Sequence, residues 1–187
     1  MYIISGKLKG RKLASCKSSA IRPAMALVRK SIFDTLKDFV AGANVLDLCA
    51  GSGVLGIEAL SRGADKLTLI DSDKSSIILI NKNLELCNIQ ADVIWGKLPK
   101  ALNKIIKKQG AFDLIFLDPP YGQKKIIEDV LEIIILNDLL AKDGIISIET
   151  EEKCDFSFPQ ELKLYKEKKY GNTKITLISR YNMNRDN

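Results

Sequence analysis

Three aspartates and one proline-rich tetrapeptide carry the chemistry open to this sequence. Asp118-Pro119-Pro120-Tyr121 sets an acidic acceptor, a constrained backbone carbonyl and an aromatic face side by side. An exocyclic base amine is a poor nucleophile, because its lone pair is delocalised into the ring. Acceptors on its two protons draw that lone pair out of conjugation, and the Asp118 carboxylate and the Pro119 carbonyl are such acceptors. Tyr121 offers a face on which a flipped, planar base can stack. The residue types therefore suit methylation of a base amine.

Gly51-Ser52-Gly53-Val54-Leu55-Gly56 spells GxGxxG, and Asp71 follows Gly51 by 20 positions, the spacing of a ribose-binding acid. Alone, that loop suits a dinucleotide. Asp47, four positions before Gly51, argues for a different ligand. A carboxylate there repels a pyrophosphate approaching the helix N-terminus and attracts an ammonium group. S-adenosylmethionine has an ammonium, a ribose diol, no phosphate and a sulfonium methyl donor. Asp47 is assigned to its methionyl end. Gly51 and Gly53 are assigned to close backbone approach and Asp71 to the ribose, with Ala50 and Ser72 as further cofactor-binding residues. The leaving group is a neutral thioether, so positioning rather than a strong base provides most of the effect. An NAD-dependent dehydrogenase would use the same glycine loop but leaves Asp118–Tyr121 without a purpose. A non-catalytic RNA-binding factor would use neither.

These residues need a scaffold that gathers them. Val45–Leu48 reads as a buried strand, Ala50–Gly53 as a turn and Val54–Arg62 as a helix ending at Gly63. Lys66–Ile70 is a second strand, and Lys74–Cys87 a helix with Ile77, Ile78, Ile80 and Leu84 on one broad apolar face. Asp92–Trp95 is a third strand and Lys100–Lys108 a helix. Asp113–Leu117 is a fourth strand, Lys124–Leu136 a helix and Gly144–Thr150 a fifth strand. Such β-α alternation predicts an α/β, Rossmann-like, mostly parallel sheet with helices on both faces. Lys163–Lys169 and Thr173–Arg180 flank Tyr170-Gly171-Asn172 and predict a C-terminal antiparallel hairpin at the sheet edge. At the front, Tyr2–Ser5 and Arg11–Leu13 could pair as short strands, and Met25–Val40 has helical periodicity through Leu27, Ile32, Phe33, Leu36 and Phe39. The expected organisation is a basic N-terminal extension over residues 1–43 and a cofactor-binding domain over 44–182.

Composition excludes much else. The 187 residues include 29 Lys+Arg, 23 Asp+Glu and no histidine. Ser-His-Asp and Cys-His catalysis and His-ligated zinc are therefore ruled out, and the widely spaced Cys16, Cys49, Cys87 and Cys154 show no metal spacing. No metal is expected. The start lacks the apolar core of a signal peptide, and acids interrupt Ile126–Leu140, which predicts a soluble, cytoplasmic protein; a monomer is expected. The charge is unevenly placed. Residues 1–44 hold 9 Lys/Arg against 2 Asp/Glu, whereas residues 45–150 hold 12 against 15. A basic arm on a near-neutral body suits a polyanion, because phosphate contacts supply most non-specific affinity. Arg11, Arg22 and Arg29 are the candidate phosphate contacts, since a guanidinium forks onto phosphate oxygens.

Taken together, these motifs resemble the RsmD-type methyltransferases, which act on the N2 amine of a guanine in small-subunit (16S) ribosomal RNA. The resemblance covers almost the whole chain. It rests on Ile4–Leu13, on Arg22-Pro23 with Val28-Arg29 and Ile32-Phe33, on Val45–Ala64 and on Asp118–Tyr121. It implies a class I methyltransferase fold of seven strands, S-adenosylmethionine as cofactor and small-subunit rRNA, within an assembled or assembling subunit, as partner. Two departures stand out: Ala24 where that family usually has Thr, and Gly96-Lys97 where a Gly-Asp pair commonly contacts adenine. The alternative reading is an amine methyltransferase acting on another RNA or DNA base.

Overall fold

The computed structural model describes residues 1–15, 23–106 and 110–180. Seven strands form one sheet in the order β3-β2-β1-β4-β5-β7-β6, with β1 (Asn44–Leu48), β2 (Lys66–Asp71), β3 (Asp92–Trp95), β4 (Phe112–Leu117), β5 (Leu140–Glu151), β6 (Lys163–Tyr170) and β7 (Thr173–Ser179). β1 to β5 run parallel, and β7 joins β5 and β6 antiparallel. The order reverses between β1 and β4, as in doubly wound sheets.

Alternation along each strand sorts the side chains into two layers. On one face Val45, Leu69, Leu114, Phe116 and Ile145 pack against α1 (Pro23–Thr35), α2 (Val54–Ser61) and α3 (Lys74–Cys87). On the other, Leu46, Leu48, Ile115, Leu117 and Ile146 pack against α4 (Lys124–Leu136) and a short 3₁₀ helix, Lys100–Lys104. Asp47, Asp118 and Glu149 continue the alternation of the first face, the one that α1 and the N-terminus cover.

Several local expectations are corrected. The Lys100–Lys108 helix is a 3₁₀ turn over Lys100–Lys104, and residues 107–109 lie outside the described residues. Its buried anchors Leu98, Ala101, Leu102 and Ile105 recur at three- to four-residue steps, and the short run fits three residues per turn. β5 starts at Leu140 rather than Gly144, because Leu140 pairs with Phe112 before the register shifts and Ile145 meets Leu114. On α3, Ile77, Ile80 and Leu84 turn inward while Ile78 is 70% exposed; on α1, Leu27 is exposed. Helical phase places Ile78 roughly 100° from its neighbour, off the inner stripe. α1 ends at Thr35, and Lys37–Phe39 is a separate 3₁₀ turn.

The N-terminal segment makes one antiparallel bridge, Tyr2 with Lys12, instead of paired strands. Its polar backbone is satisfied by α2. Glu58, fully buried, accepts the N–H groups of Ile4 (2.8 Å) and Ser5 (2.9 Å) and pairs with Arg62 Nε at 2.8 Å. Ser61 accepts the Leu8 N–H and donates to the Ser5 carbonyl. Gly6, at φ +81°, permits this docking: a Cβ there would lie 1.8 Å from the Ser61 carbonyl oxygen. Ile3, Leu13, Val28, Ile32 and Phe33 share a core with the sheet, so the extension is built into the body of the protein.

Candidate functional site

At the reversal of strand order, the carboxyl ends of β1 and β4 open onto a cavity of about 470 Å³. Asp47, Ala50, Gly51, Asp118 and Glu149 line it from the sheet side; Tyr2, Ile3 and Arg29 close it from the extension and α1. Behind it, the Phe33 and Phe116 rings meet at 5.7 Å and tie α1 to β4.

The β1–α2 loop is shaped by its two acids. Asp47 Oδ2 accepts the Gly56 N–H at 2.9 Å, so β1 grips the first turn of α2. Asp71 Oδ2 accepts the Gly51 N–H at 2.8 Å, and its Oδ1 accepts the Asp73 N–H at 2.9 Å. Gly51, at φ +57°, has open space where a Cβ would stand, so a ligand can approach its backbone closely. Gly53 behaves differently from expectation. A Cβ there would lie 3.0 Å from the Leu69 side chain, so this glycine seats α2 on the sheet and does not face the cavity. Asp71 and Ser72 lie outside the cavity wall; the Ser72 carbonyl accepts the Trp95 indole N–H at 2.9 Å, and Lys74 Nζ sits 4.8 Å from that ring's centroid.

Burial makes this an acid-rich, poorly solvated place. Asp47 is 1% exposed, and its carboxyl is pushed up to about 7 by burial, opposed by the Gly56 N–H and reinforced by the charge of Asp71. Burial also raises Asp118 well above the carboxylate range, with Glu149 and Asp47 adding repulsion. Glu149 is raised by burial, and the Cys49 thiol is pushed up to about 12 by burial and by Asp71, Asp118 and Asp47. Among the described residues no cation pairs with Asp47, Asp118 or Glu149, and no cluster of three metal-ligating side chains exists. Such a cavity favours a cationic organic ligand over a pyrophosphate. S-adenosylmethionine, with its ammonium and sulfonium, fits that charge pattern.

The tetrapeptide follows β4 directly. Asp118 N–H extends the sheet by donating to the Leu48 carbonyl at 3.3 Å, and Pro119 is buried. Gly122 N–H donates to Glu151 Oε1 at 2.9 Å, which fixes the loop's exit. Tyr121 is 56% exposed, with its hydroxyl 3.2 Å from Thr173 Oγ1, so its ring is held at the surface and not in the cavity wall.

The three arginines separate. Arg11 is exposed on the N-terminal turn beside Lys7, Lys9 and Lys12. Arg22 lies outside the described residues. Arg29 overturns the expectation of a surface contact: it is 7% exposed, its Nη2 donates to the Tyr2 carbonyl at 2.9 Å and its Nε lies 3.8 Å from Glu58. Burial lowers its pKa, with Glu58 opposing. Helical phase put it on the inner stripe with Val28 and Ile32, a signal present in the sequence. Glu149 and Glu58 were also missed. Each is a lone acid inside an apolar segment, Ile145–Glu149 and Val54–Leu60, and that pattern was the available clue.

Comparison with known proteins agrees with this geometry. The family model described as conserved hypothetical protein 95 matches residues 1–179. The ribosomal RNA small subunit methyltransferase D of Buchnera aphidicola subsp. Acyrthosiphon pisum is 36% identical over 169 residues, covering 90% of this chain and 87% of that protein. Its namesake from Escherichia coli K12 is 32% identical over 179 residues, covering 95% and 89%. Among solved structures, yhhF of Escherichia coli, described as a candidate methyltransferase, superposes with a TM-score of 0.82 at 31% identity, covering 95% of this chain and 96% of that one. The fold is that of the class I methyltransferases.

Proposed function

Because the chain belongs to the conserved hypothetical protein 95 family and stands beside the small subunit methyltransferases D, we propose that it methylates the N2 amine of a guanine in small-subunit rRNA. S-adenosylmethionine is the cofactor. When bound, it supplies an electrophilic methyl carbon on a sulfonium and departs as a neutral thioether. The observation that carries the reading is the meeting of Asp118, the first residue of the tetrapeptide, with buried, cation-free Asp47 in one cavity.

The chain's own groups then divide the work. Asp47 holds the ammonium end of the cofactor, and Gly51 lets the backbone approach it. Asp71 shapes the loop through the Gly51 N–H and faces the ribose from the loop's outer side with Ser72. Asp118 accepts one N2 proton and the Pro119 carbonyl the other, which turns the nitrogen lone pair toward the methyl carbon. After transfer the nitrogen is cationic; Asp118 takes the surplus proton and passes it to solvent. Tyr121, tethered by Thr173, stacks on the base. Phosphates of the RNA meet Arg11 and its neighbouring lysines outside the acidic cavity, and Arg22 is a further expected contact.

The experiment is nucleoside mass spectrometry. Small-subunit rRNA from a strain lacking this protein is incubated with the purified chain and S-adenosylmethionine, as free RNA and as assembled subunits. N2-methylguanosine is expected on subunits. Methylation of a different base, or none on either substrate, overturns the reading.

A further inference from the structure

Asp118 has a neighbour that the scheme above leaves idle. β4 and β5 pair in parallel with Leu117 opposite Ile148, so the next step sets Asp118 beside Glu149. Paired residues of adjacent strands point to the same face, and adjacent strands lie about 4.8 Å apart. Both side chains therefore enter the same cavity from the same side, and both line it.

Neither carboxylate has a hydrogen bond or ion pair to a side chain among the described residues. Glu151, two residues on, is by contrast engaged by the Gly122 N–H. Arg29, the cation in the cavity wall, is occupied by Tyr2 and Glu58. Ile145, Ile146 and Ile148, all buried, precede Glu149 in the same strand. Burial raises both acids, and the charge of Glu149 adds to the rise at Asp118, so a partly buried, unpaired Glu149 weakens the fold. Its presence asks for a ligand that brings donors.

The base edge supplies a discriminating pattern. Guanine presents two adjacent donors, the N1–H and the N2 amine. Adenine and cytosine present their amines beside a ring nitrogen that carries a lone pair. An ionised carboxylate only accepts. Two side-by-side carboxylates therefore match guanine and repel the ring nitrogen of adenine or cytosine.

We propose that Glu149 reads the target base by accepting the guanine N1–H while Asp118 accepts an N2 proton. The proposal rests on the guanine-N2 reading above. Glu149 thereby sets the choice of base, and Asp118 aims the amine. The donors of guanine also let both acids ionise together, which the free cavity opposes.

The test runs in two stages, so that the two readings fail separately. Mass spectrometry of subunits methylated by the unaltered chain first fixes the product. Any product other than N2-methylguanosine removes the guanine reading, and this proposal with it. Subunits are then reconstituted with 2-aminopurine at the methylated position; this base keeps the N2 amine but bears a lone pair at N1. The unaltered chain is expected to favour guanine at least 30-fold in kcat/KM. Glu149→Gln, whose amide N–H can face that lone pair, narrows the ratio tenfold or more, and Glu149→Ala narrows it by loss of guanine turnover alone. The same shift in preference is expected in the binding of cofactor-free protein to the two kinds of subunit. S-adenosylmethionine affinity within threefold of the original, by calorimetry, separates this effect from a folding defect. A guanine to 2-aminopurine ratio unchanged in both variants overturns the proposal, however far the absolute rates fall.

Discussion

On the proposed assignment Asp47 connects stability to cofactor binding, and Asp47→Asn separates the two. In the free protein its carboxyl titrates near 7, against 3.8 for an ordinary aspartate. A raised acid favours the protonated fold. Its contribution to stability is complete below the unfolded pKa and is lost as pH rises through the folded pKa. The Asp47 share of stability is therefore expected to fall between about pH 4 and pH 7 and then level off. At 1.36 kcal/mol per unit the full penalty is about 4 kcal/mol, an upper bound. Asparagine keeps an oxygen for the Gly56 N–H, now 2.9 Å from Asp47 Oδ2, and carries no charge. At pH 8 the variant should be more stable by about 1–3 kcal/mol, or roughly 3–10 °C in melting temperature. At pH 4.5 the two proteins should converge.

Binding should move the opposite way. An ammonium needs the ionised carboxylate, whose fraction falls from about one half at pH 7 to about 3% at pH 5.5 when the pKa is 7. S-adenosylmethionine affinity should therefore drop about 15-fold over that interval, with close to one proton released per molecule bound at the lower pH. The interval stays below the ordinary α-amino pKa of about 7.7–8.0, so the ligand remains charged. Calorimetry in two buffers of different ionisation enthalpy counts the proton, and differential scanning fluorimetry reads the stability. Asp118 and Glu149 still titrate in Asp47→Asn, so only the Asp47 share of the slope should vanish, with affinity at pH 7 at least tenfold weaker. Wild-type affinity in Asp47→Asn, or a variant less stable at pH 8 by the same margin as at pH 4.5, would refute the assignment.

Asp118→Ala should lower methyl incorporation at least a thousandfold while S-adenosylmethionine affinity stays within about threefold, because an aiming group acts in the transition state; retained turnover in a tritiated-methyl assay removes Asp118 from the chemistry. Glu58→Ala leaves Arg29 and Arg62 without their buried acid and frees the Ile4 and Ser5 N–H groups. A loss of about 3–5 kcal/mol is expected in urea unfolding, together with weaker cofactor binding, since the released segment roofs the cavity. A loss below about 1 kcal/mol would show that the N-terminus docks without this junction.

Order along the chain made most of the scaffold legible. Apolar runs of strand length alternating with helix-period segments specify the parallel sheet, because a strand buried on both faces has no polar side to disguise it. Short spacings made the cofactor loop visible, since Asp47, Gly51 and Asp71 are joined by one βαβ unit. The weaker readings fell where burial depends on a distant partner. Ile78 and Leu27 look like core and lie in solvent, whereas Lys100–Lys104 makes a tighter helix than its composition suggests.

The basic first 44 residues and the missing histidine are properties of composition, and they bound the chemistry without a fold: a polyanion outside, no imidazole inside. Tertiary structure decided which charges belong to which. It moved Arg29 from the basic arm into the wall of the cavity, locked the arm onto Glu58, and set Glu149 beside Asp118 across 31 positions of chain. No local spacing contains that pairing, because strand register is settled by the packing of whole faces and not by neighbours in sequence.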